Sequence, residues 1–486
     1  VPAETRPIRF GSYEASGLEQ LAGASPAAHN VIVDPDGSMR RRPGISAYSG
    51  APSTVIDSGG IVGLHVTLGG ELIAVGAPSP SEASIYRLTA GGALNLSQGP
   101  GTALVGPERP TIAETEMLLL LAAGQDIQKV ELSNLVSSRL GGSPPKSSHV
   151  IAHGVRLLGN DTEIDKTKAR YSGEAIGTTD FSGHESWAPG VDTAGFFTGE
   201  ARPDPVVALG ENTDEVFLFG SQTTQVFRPD PVEVYAPIGT IPLGCVAPYS
   251  IARKDNDFYW LDHERRFVVS NGRSYKVLSA PAISQTLQSM ATVSDCFGYR
   301  CSLGPNEAIV WTLPTDGRTF VHYLGGGWAQ WSGWDSTLGR YTQFSVTAHH
   351  LRGGDHVNLV GTSAGYVGKL DRAASTDLGA PIEANVQTGF INRDTDIRKW
   401  CKFVRLTLRR GESSSGEPRG RLQWRDDMGP WETGLEVSLG RSGEMNPTVS
   451  FERLGTYRRR QWRFVFSGSE ELVLVSAEEE YQLCDS

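Results

Sequence analysis

Val216-Phe217-Leu218-Phe219-Gly220, a polar turn at Ser221-Gln222-Thr223, and then Thr224-Gln225-Val226-Phe227 form the stretch whose reading decides the fold. Two short runs rich in Val and Phe around a polar turn read as an antiparallel hairpin. Val206-Val207-Ala208-Leu209 stands just before them as a third run. The same unit recurs along the chain. It is found at Leu72–Val75 with Ser84–Leu88, Met117–Leu121 with Ile127–Leu132, and Val150–Leu158 with Ala169–Tyr171. It returns at Phe258–Leu261 with Phe267–Val269, Ala308–Leu313 with Thr319–Tyr323, and Val357–Val360 with Tyr366–Leu370. A loose repeat of roughly 45 residues, each copy a hairpin with connecting strands, is the signature of a β-propeller. The expected architecture is therefore all-β: a propeller of about six to eight blades over residues 46–380, with a loop insertion near 172–205. A set of β-sandwiches is the alternative, since the runs could also pair across two sheets.

Residues 381–486 change character. Asn385–Phe390, Phe403–Arg409, Arg421–Trp424, Gly434–Leu439, Gln461–Phe466 and Glu471–Val475 read as six alternating strands of an antiparallel β-sandwich. Trp462, Phe464 and Phe466 fall on one face of their strand. Residues 1–45 form an N-terminal arm, expected to pack on the C-terminal domain or on a partner. Helices are scarce: Pro281–Ala291 has Ile283, Leu287 and Met290 at helical spacing, and Ser16–Ala22 is a second short candidate.

Composition agrees with a turn-rich β protein, with 57 Gly and 28 Pro in 486 residues. The formal charge is −11, which argues against a duplex binder that works by neutralising phosphates. The acidity lies in the first 380 residues, because the last hundred are nearly balanced. Such a surface would let nucleic acid slide past without adhering, although ordinary solubility charge explains it equally. Five Cys (Cys245, Cys296, Cys301, Cys401 and Cys484) show no small-scaffold pattern, and reduced thiols are expected, with a Cys296–Cys301 pair as the alternative. The first residues, Val1-Pro2-Ala3-Glu4, carry no apolar signal segment, and no apolar run approaches the length of a membrane span. Folding in the cytoplasm without membrane insertion is the expectation.

The chemical constellations read as structural. Gly361-Thr362-Ser363-Ala364-Gly365 has the form of a nucleophile elbow, yet it lies between two strands where the elbow needs a strand and then a helix. His349, His350 and His356 with Asp355 form the histidine cluster, but adjacent His349 and His350 point to opposite faces of a strand, and a solvated blade edge is expected. Asp262-His263-Glu264 reads as a polar turn. Asp34–Gly37 and Asp161–Asp165 lack the terminal Glu of a calcium loop, although a structural cation at 161–165 stays open. Trp328, Trp331 and Trp334 suit blade-core packing better than a sugar-stacking platform. No glycine-rich phosphate loop is present. No metal, cofactor or catalytic group is expected.

Three segments in order carry a resemblance. The first joins Arg170-Tyr171-Ser172, Asp180-Phe181-Ser182 and Val216–Phe227. The second is the early segment with Asn30, Gly37, Arg40, Pro43 and Gly44, and the third is Gly365–Asp371 followed by Arg459-Arg460-Gln461-Trp462-Arg463-Phe464. Together they resemble the tail hub and nozzle proteins of short-tailed double-stranded DNA phages, also called packaged-DNA stabilisation proteins; residues 46–150 match only as generic β-structure. The resemblance implies a structural virion protein, not an enzyme. It would form a homo-oligomeric, typically six-fold, ring in the virion tail below the portal and adaptor, near tail fibre or tail tip proteins. Its channel would retain packaged double-stranded DNA through transient, sequence-independent contacts and later conduct it. Candidate contacts with a partner or DNA are Arg40, Arg41, Arg42, Arg458, Arg459 and Arg460. Asp180, Phe181, Trp187, Phe196 and Phe197 mark a candidate channel or subunit-contact loop. The competing reading is a carbohydrate-binding or glycan-hydrolysing propeller with a lectin-like sandwich, which would need paired carboxylates at the propeller mouth. Another virion component, such as a tail-fibre platform, suits the same features.

Overall fold

The computed structural model describes residues 3–10, 28–77, 82–97, 103–105, 109–175, 180–190, 193–199, 204–410, 419–439, 447–467 and 472–484. Seven blade-like units, the first of five strands and the others of four, follow one another around a common axis. Six are built from strands consecutive in the chain. They cover residues 61–105, 111–139, 150–198, 206–241, 252–277 and 297–331, and are called blades one to six here. Blade seven takes Val346–Leu351, Asn358–Thr362 and Val367–Asp371, and is completed by Gly44–Ala47 from the N-terminal arm. The ring closes where blade seven meets blade one. Ala348, Leu359 and Val367 pack there with Ile61, Leu64 and Leu72, and Thr347 Oγ1 donates to Ile61 O at 2.7 Å.

The seven hairpins expected from sequence are the second and third strands of the seven blades. These strands are buried on both faces between neighbouring blades, so they read as unbroken apolar runs: Leu118–Ala122 and Val216–Gly220 are buried throughout. Val150–Leu158 is not one strand. The chain turns at His153-Gly154-Val155, with Gly154 at φ +60°, and Val150–His153 pairs with Arg156–Asn160. The 172–205 insertion is likewise not all loop, since Gly195–Thr198 pairs with Lys168–Tyr171 as the outermost strand of blade three.

The helix over Pro281–Ser289 forms as expected and buries Ile283 and Leu287. The Ser16–Ala22 candidate lies outside the described residues. All five cysteines are free, and four are buried.

The C-terminal region is a two-sheet sandwich. One sheet runs Val31–Val33, Met39–Arg41, Leu472–Leu483, Lys399–Arg410 and Thr448–Glu452, with Glu4–Pro7 added beside Leu472–Leu483. The other runs Ala384–Gln387, Arg460–Ser467, Arg419–Asp426 and Leu435–Ser438. Trp462, Phe464 and Phe466 all point into the core between them. Strand Ala28–His29 lies parallel to Trp328–Trp331 of blade six and antiparallel to Ala384–Gln387. One nine-stranded sheet therefore crosses from blade six into the sandwich.

Arg42 sits at the junction of these parts and is almost fully buried. It pairs with Asp377 at 2.6 Å, donates from Nε to Asn30 Oδ1 at 2.9 Å, and donates to the carbonyls of Pro43 and Ser332 at 3.0 Å. Its guanidinium lies 4.7 Å from the Phe344 ring centre. Replacing it with Ala would strand the nearly buried Asp377 carboxylate, and Arg42→Ala should cost about 3–5 kcal/mol in denaturant unfolding. A loss below about 1 kcal/mol would mean that water already reaches Asp377. Gly365 gives a second check. Its φ is +81° and a Cβ there would meet Asp57 O at 1.9 Å, so Gly365→Ala should destabilise blade closure by about 1–3 kcal/mol or more.

Candidate functional site

The innermost strands of all seven blades converge on one axial cavity of about 370 Å³. Its walls include Val62–His65, Thr111, Val150, Leu209, Ile251, Phe297–Tyr299 and Ala348–His350. Arg109 crosses it. Its Nη1 donates to Val62 O at 3.1 Å and to Thr347 O, and its guanidinium lies 3.7 Å from the Phe297 ring centre. Burial pulls its pKa down to about 10. A volume of this size suits a small molecule. It is far too small for a duplex, whose major groove alone is about 12 Å wide.

Imidazoles fill the rest of the axis. His349 stacks on Tyr299 at 4.2 Å, and its Nε2 lies 3.1 Å from Asn358 Oδ1. His350 meets the edge of His65 at 4.9 Å, and His65 Nε2 lies 2.7 Å from Glu114 Oε2. His149 Nε2 lies 3.2 Å from Pro248 O. Burial pushes His349 down to about 3, and His350 and His149 to about 4. The expected solvated edge for His349 and His350 is thus corrected: both line the axis and are held neutral. Among the described residues no cluster of three or more His, Cys, Asp or Glu could hold a metal ion. No Asp or Glu is among the described residues lining the cavity. Trp328 and Trp331 are buried, with Trp328 in a stack with Phe267 and Trp311. Ser363 sits in the hairpin turn between Asn358–Thr362 and Val367–Asp371. Asp161 caps its own turn by accepting from the amides of Glu163 and Ile164, and pairs with Arg170 at 2.9 Å.

The candidate contact residues divide by strand alternation. Arg40 is buried and pairs with Asp34 at 3.0 Å, whereas Arg41 is only half-buried. Arg42 and Arg460 are corrections, because both are internal. Arg460 is 1% exposed, bound to Asp426 at 2.7 and 2.8 Å, and lies over Tyr457. Arg458 and Arg459 are exposed, and Arg459 pairs with Asp396 at 3.2 Å. In the insertion, Trp187 is buried and donates from Nε1 to His184 O at 2.9 Å, and Phe197 is buried against Tyr171, Phe227 and Tyr235. These two are core residues, not surface contacts. Phe181 is half-buried under Lys129. Asp180 and Phe196 are exposed. Sequence reasoning missed Arg109. Its only signal was a cation beside Pro110 at the entry to an inner strand.

Residues 167–375 match the model of the phage stabilisation family described as "Bacteriophage P22 Gp10, beta-propeller". The matched span runs from blade three to the end of blade seven, and it supports a phage structural protein with a propeller. No curated protein matches the chain in sequence. Among solved structures, the N-terminal domain of Nup159 aligns at TM-score 0.41 and 9% identity, over 72% of this chain and 99% of that one. The extracellular domain of the putative one-component system BT4673 from B. thetaiotaomicron aligns at 0.41 and 10%, over 87% and 60%. An exo-beta-1,3-galactanase from Phanerochaete chrysosporium aligns at 0.29 and 9%, over 91% and 100%. Similarity at that level carries no argument about function. No helix among the described residues is long and apolar enough to cross a membrane.

Two measurements check this geometry. Phe197→Ala should cost about 3–5 kcal/mol, while Phe196→Ala should stay within about 0.5 kcal/mol of the parent; equal losses would contradict the assigned faces. The axial imidazoles also set a pH dependence. His149, His349 and His350 stay neutral in the folded chain down to about 3–4, but protonate near 6.5 once unfolded. The unfolded state then binds more protons, so stability is complete above about 6.5 and falls as pH drops toward 4. The urea midpoint should fall between pH 6.5 and 5, before most carboxylates titrate, and a level midpoint there would mean a hydrated axis.

Proposed function

We propose that this chain is a structural protein of a phage tail, forming a hub or nozzle ring below the portal and adaptor. The ring retains packaged DNA and conducts it during ejection. The observation that supports this reading most is the family match over blades three to seven. The plugged axis then fixes one geometric consequence. DNA runs between copies of the chain, through the bore of the ring, and never through a propeller. The acidic balance of the first 380 residues suits a bore that must not adhere to phosphates. Exposed Phe196, Asp180, Arg458 and Arg459 are the remaining contact candidates with neighbouring copies, the adaptor, tail fibre or tip proteins, or passing DNA.

Averaged electron images of the particle that carries this protein test the reading. A symmetric ring at the tail, six-fold in the simplest case, with propellers arranged around an axial bore, is the expected result. Single propellers found apart from any virion would overturn it. Particles bearing Phe196→Ala, a change neutral for folding, should lose packaged DNA on storage if the 172–205 segment contacts the bore or a neighbour.

A further inference from the structure

We propose that the outer face of the sheet running from blade six into the sandwich docks an acidic, extended segment of a partner protein, gripped by Arg421, Arg425 and Arg463 around Trp431. This face lies outside the residues that match the phage family.

The register places the cations together. Arg463 lies opposite Gln423, with Arg421 and Arg425 two residues to either side on the same strand, so all three share one face of the sheet. The opposite face carries Leu422, Phe464 and Phe466 into the core. Trp431 joins two of the cations: the Arg463 guanidinium lies 3.8 Å from its ring centre and that of Arg425 4.9 Å. Phe390 lies 5.4 Å from the Arg425 guanidinium.

Among the described residues no carboxylate forms an ion pair with Arg421, Arg425 or Arg463. Arg425 Nε donates to Gln461 Oε1 at 2.6 Å, and the Arg463 Nε is buried without a partner. Two acids stand nearby. Glu436 faces Arg421 across the strand pair but contacts Arg419 at 3.9 Å, and burial raises the pKa of the Glu383 carboxyl against the pull of Arg421 and Arg463, with which it forms no ion pair. Burial lowers the pKa of Arg425 and of Arg463, and at Arg463 the nearby Glu383 only partly offsets that cost. Two guanidinium groups stacked on one indole repel each other, and an external anion between them removes that cost.

Spacing selects the ligand. Arg421 and Arg425 are four residues apart on an extended strand, about 13 Å. One small anion cannot bridge that distance, whereas an extended chain with acidic groups on alternate residues can. The overall charge of −11 repels peptide and duplex alike, but the duplex, with one phosphate charge per about 1.7 Å of its axis, is repelled more. Tryptophan and arginine are the residues that most often anchor protein partners.

The test uses the full chain, fluorescently labelled poly-glutamate and a labelled random-sequence duplex at low salt. Poly-glutamate should bind more tightly than the duplex. The double variant Arg421→Gln/Arg463→Gln should weaken poly-glutamate binding about tenfold or more, while Arg139→Gln, on an exposed arginine of blade two outside this face, leaves it unchanged. Thermal midpoints are followed in parallel. If the half-buried Arg463 change impairs folding, Arg421→Glu on the exposed position gives the same reading. Absent poly-glutamate binding, or binding equal in parent and variants, overturns the proposal. Tighter duplex binding that depends on the same arginines also overturns it, in favour of nucleic acid. The result is independent of virion membership, which the electron images decide.

Discussion

The buried contact among Arg42, Asn30 and Asp377 holds this molecule in one piece. Asn30 accepts from Arg42 Nε and from the Ser332 amide, and donates to Glu383 O. One side chain thus ties the arm to the end of blade six and to the start of the sandwich. Arg42 adds Asp377, beside the strand that completes blade seven. Closure by Gly44–Ala47 works together with this node and with the packing of blade seven on blade one, because four residues of strand pairing offset only part of the entropy of ordering the chain. Gly44 is required there: a Cβ would meet Thr376 O at 2.3 Å. The first 47 residues therefore serve both domains, and the propeller is complete only when the arm is in place.

The axis follows from that closure. With seven blades drawn together, the inner strands leave only a small cavity, and Arg109 ties blade one to blade seven across it through two backbone carbonyls. Desolvation keeps His149, His349 and His350 neutral, which prevents repulsion between them and Arg109. The axis is thus a structural plug. A structure that manages a polyanion must do so on its outer surfaces, where acidic character and local basic patches act over distances set by salt.

Much of this was legible in the sequence. The blade hairpins stood out because their strands are buried on both faces and read as continuous apolar runs. The inner strands did not, since Thr111–Glu114 or Ala252–Lys254 has one face toward the axis and mixed polarity. The early segment resembling the hub proteins has a physical basis: Asn30 adopts φ +54°, Gly37 closes a turn at φ +82°, and Gly44 faces a backbone carbonyl. The arginine triplets were legible as charge but not as position. In both, the third arginine faces inward to a carboxylate more than thirty residues away, Asp377 for Arg42 and Asp426 for Arg460. No local pattern reveals such a partner. Phe196 and Phe197 show the same limit: adjacent residues on a strand point to opposite sides, and only the pairing with Lys168–Tyr171 decides which one is buried.

The continuous sheet between blade six and the sandwich gives the exposed cations a mechanical meaning. Arg421, Arg425 and Arg463 stand on strands hydrogen-bonded, through Ala384–Gln387 and Ala28–His29, to blade six. Flexible linkers let domains move independently, but here the strand ladder and the buried Arg42 node oppose rotation. A load applied to the sandwich face therefore passes through backbone hydrogen bonds into the propeller ring. In an assembly component, such a connection transmits docking at one end as a fixed orientation of the whole molecule, with no need for a hinge.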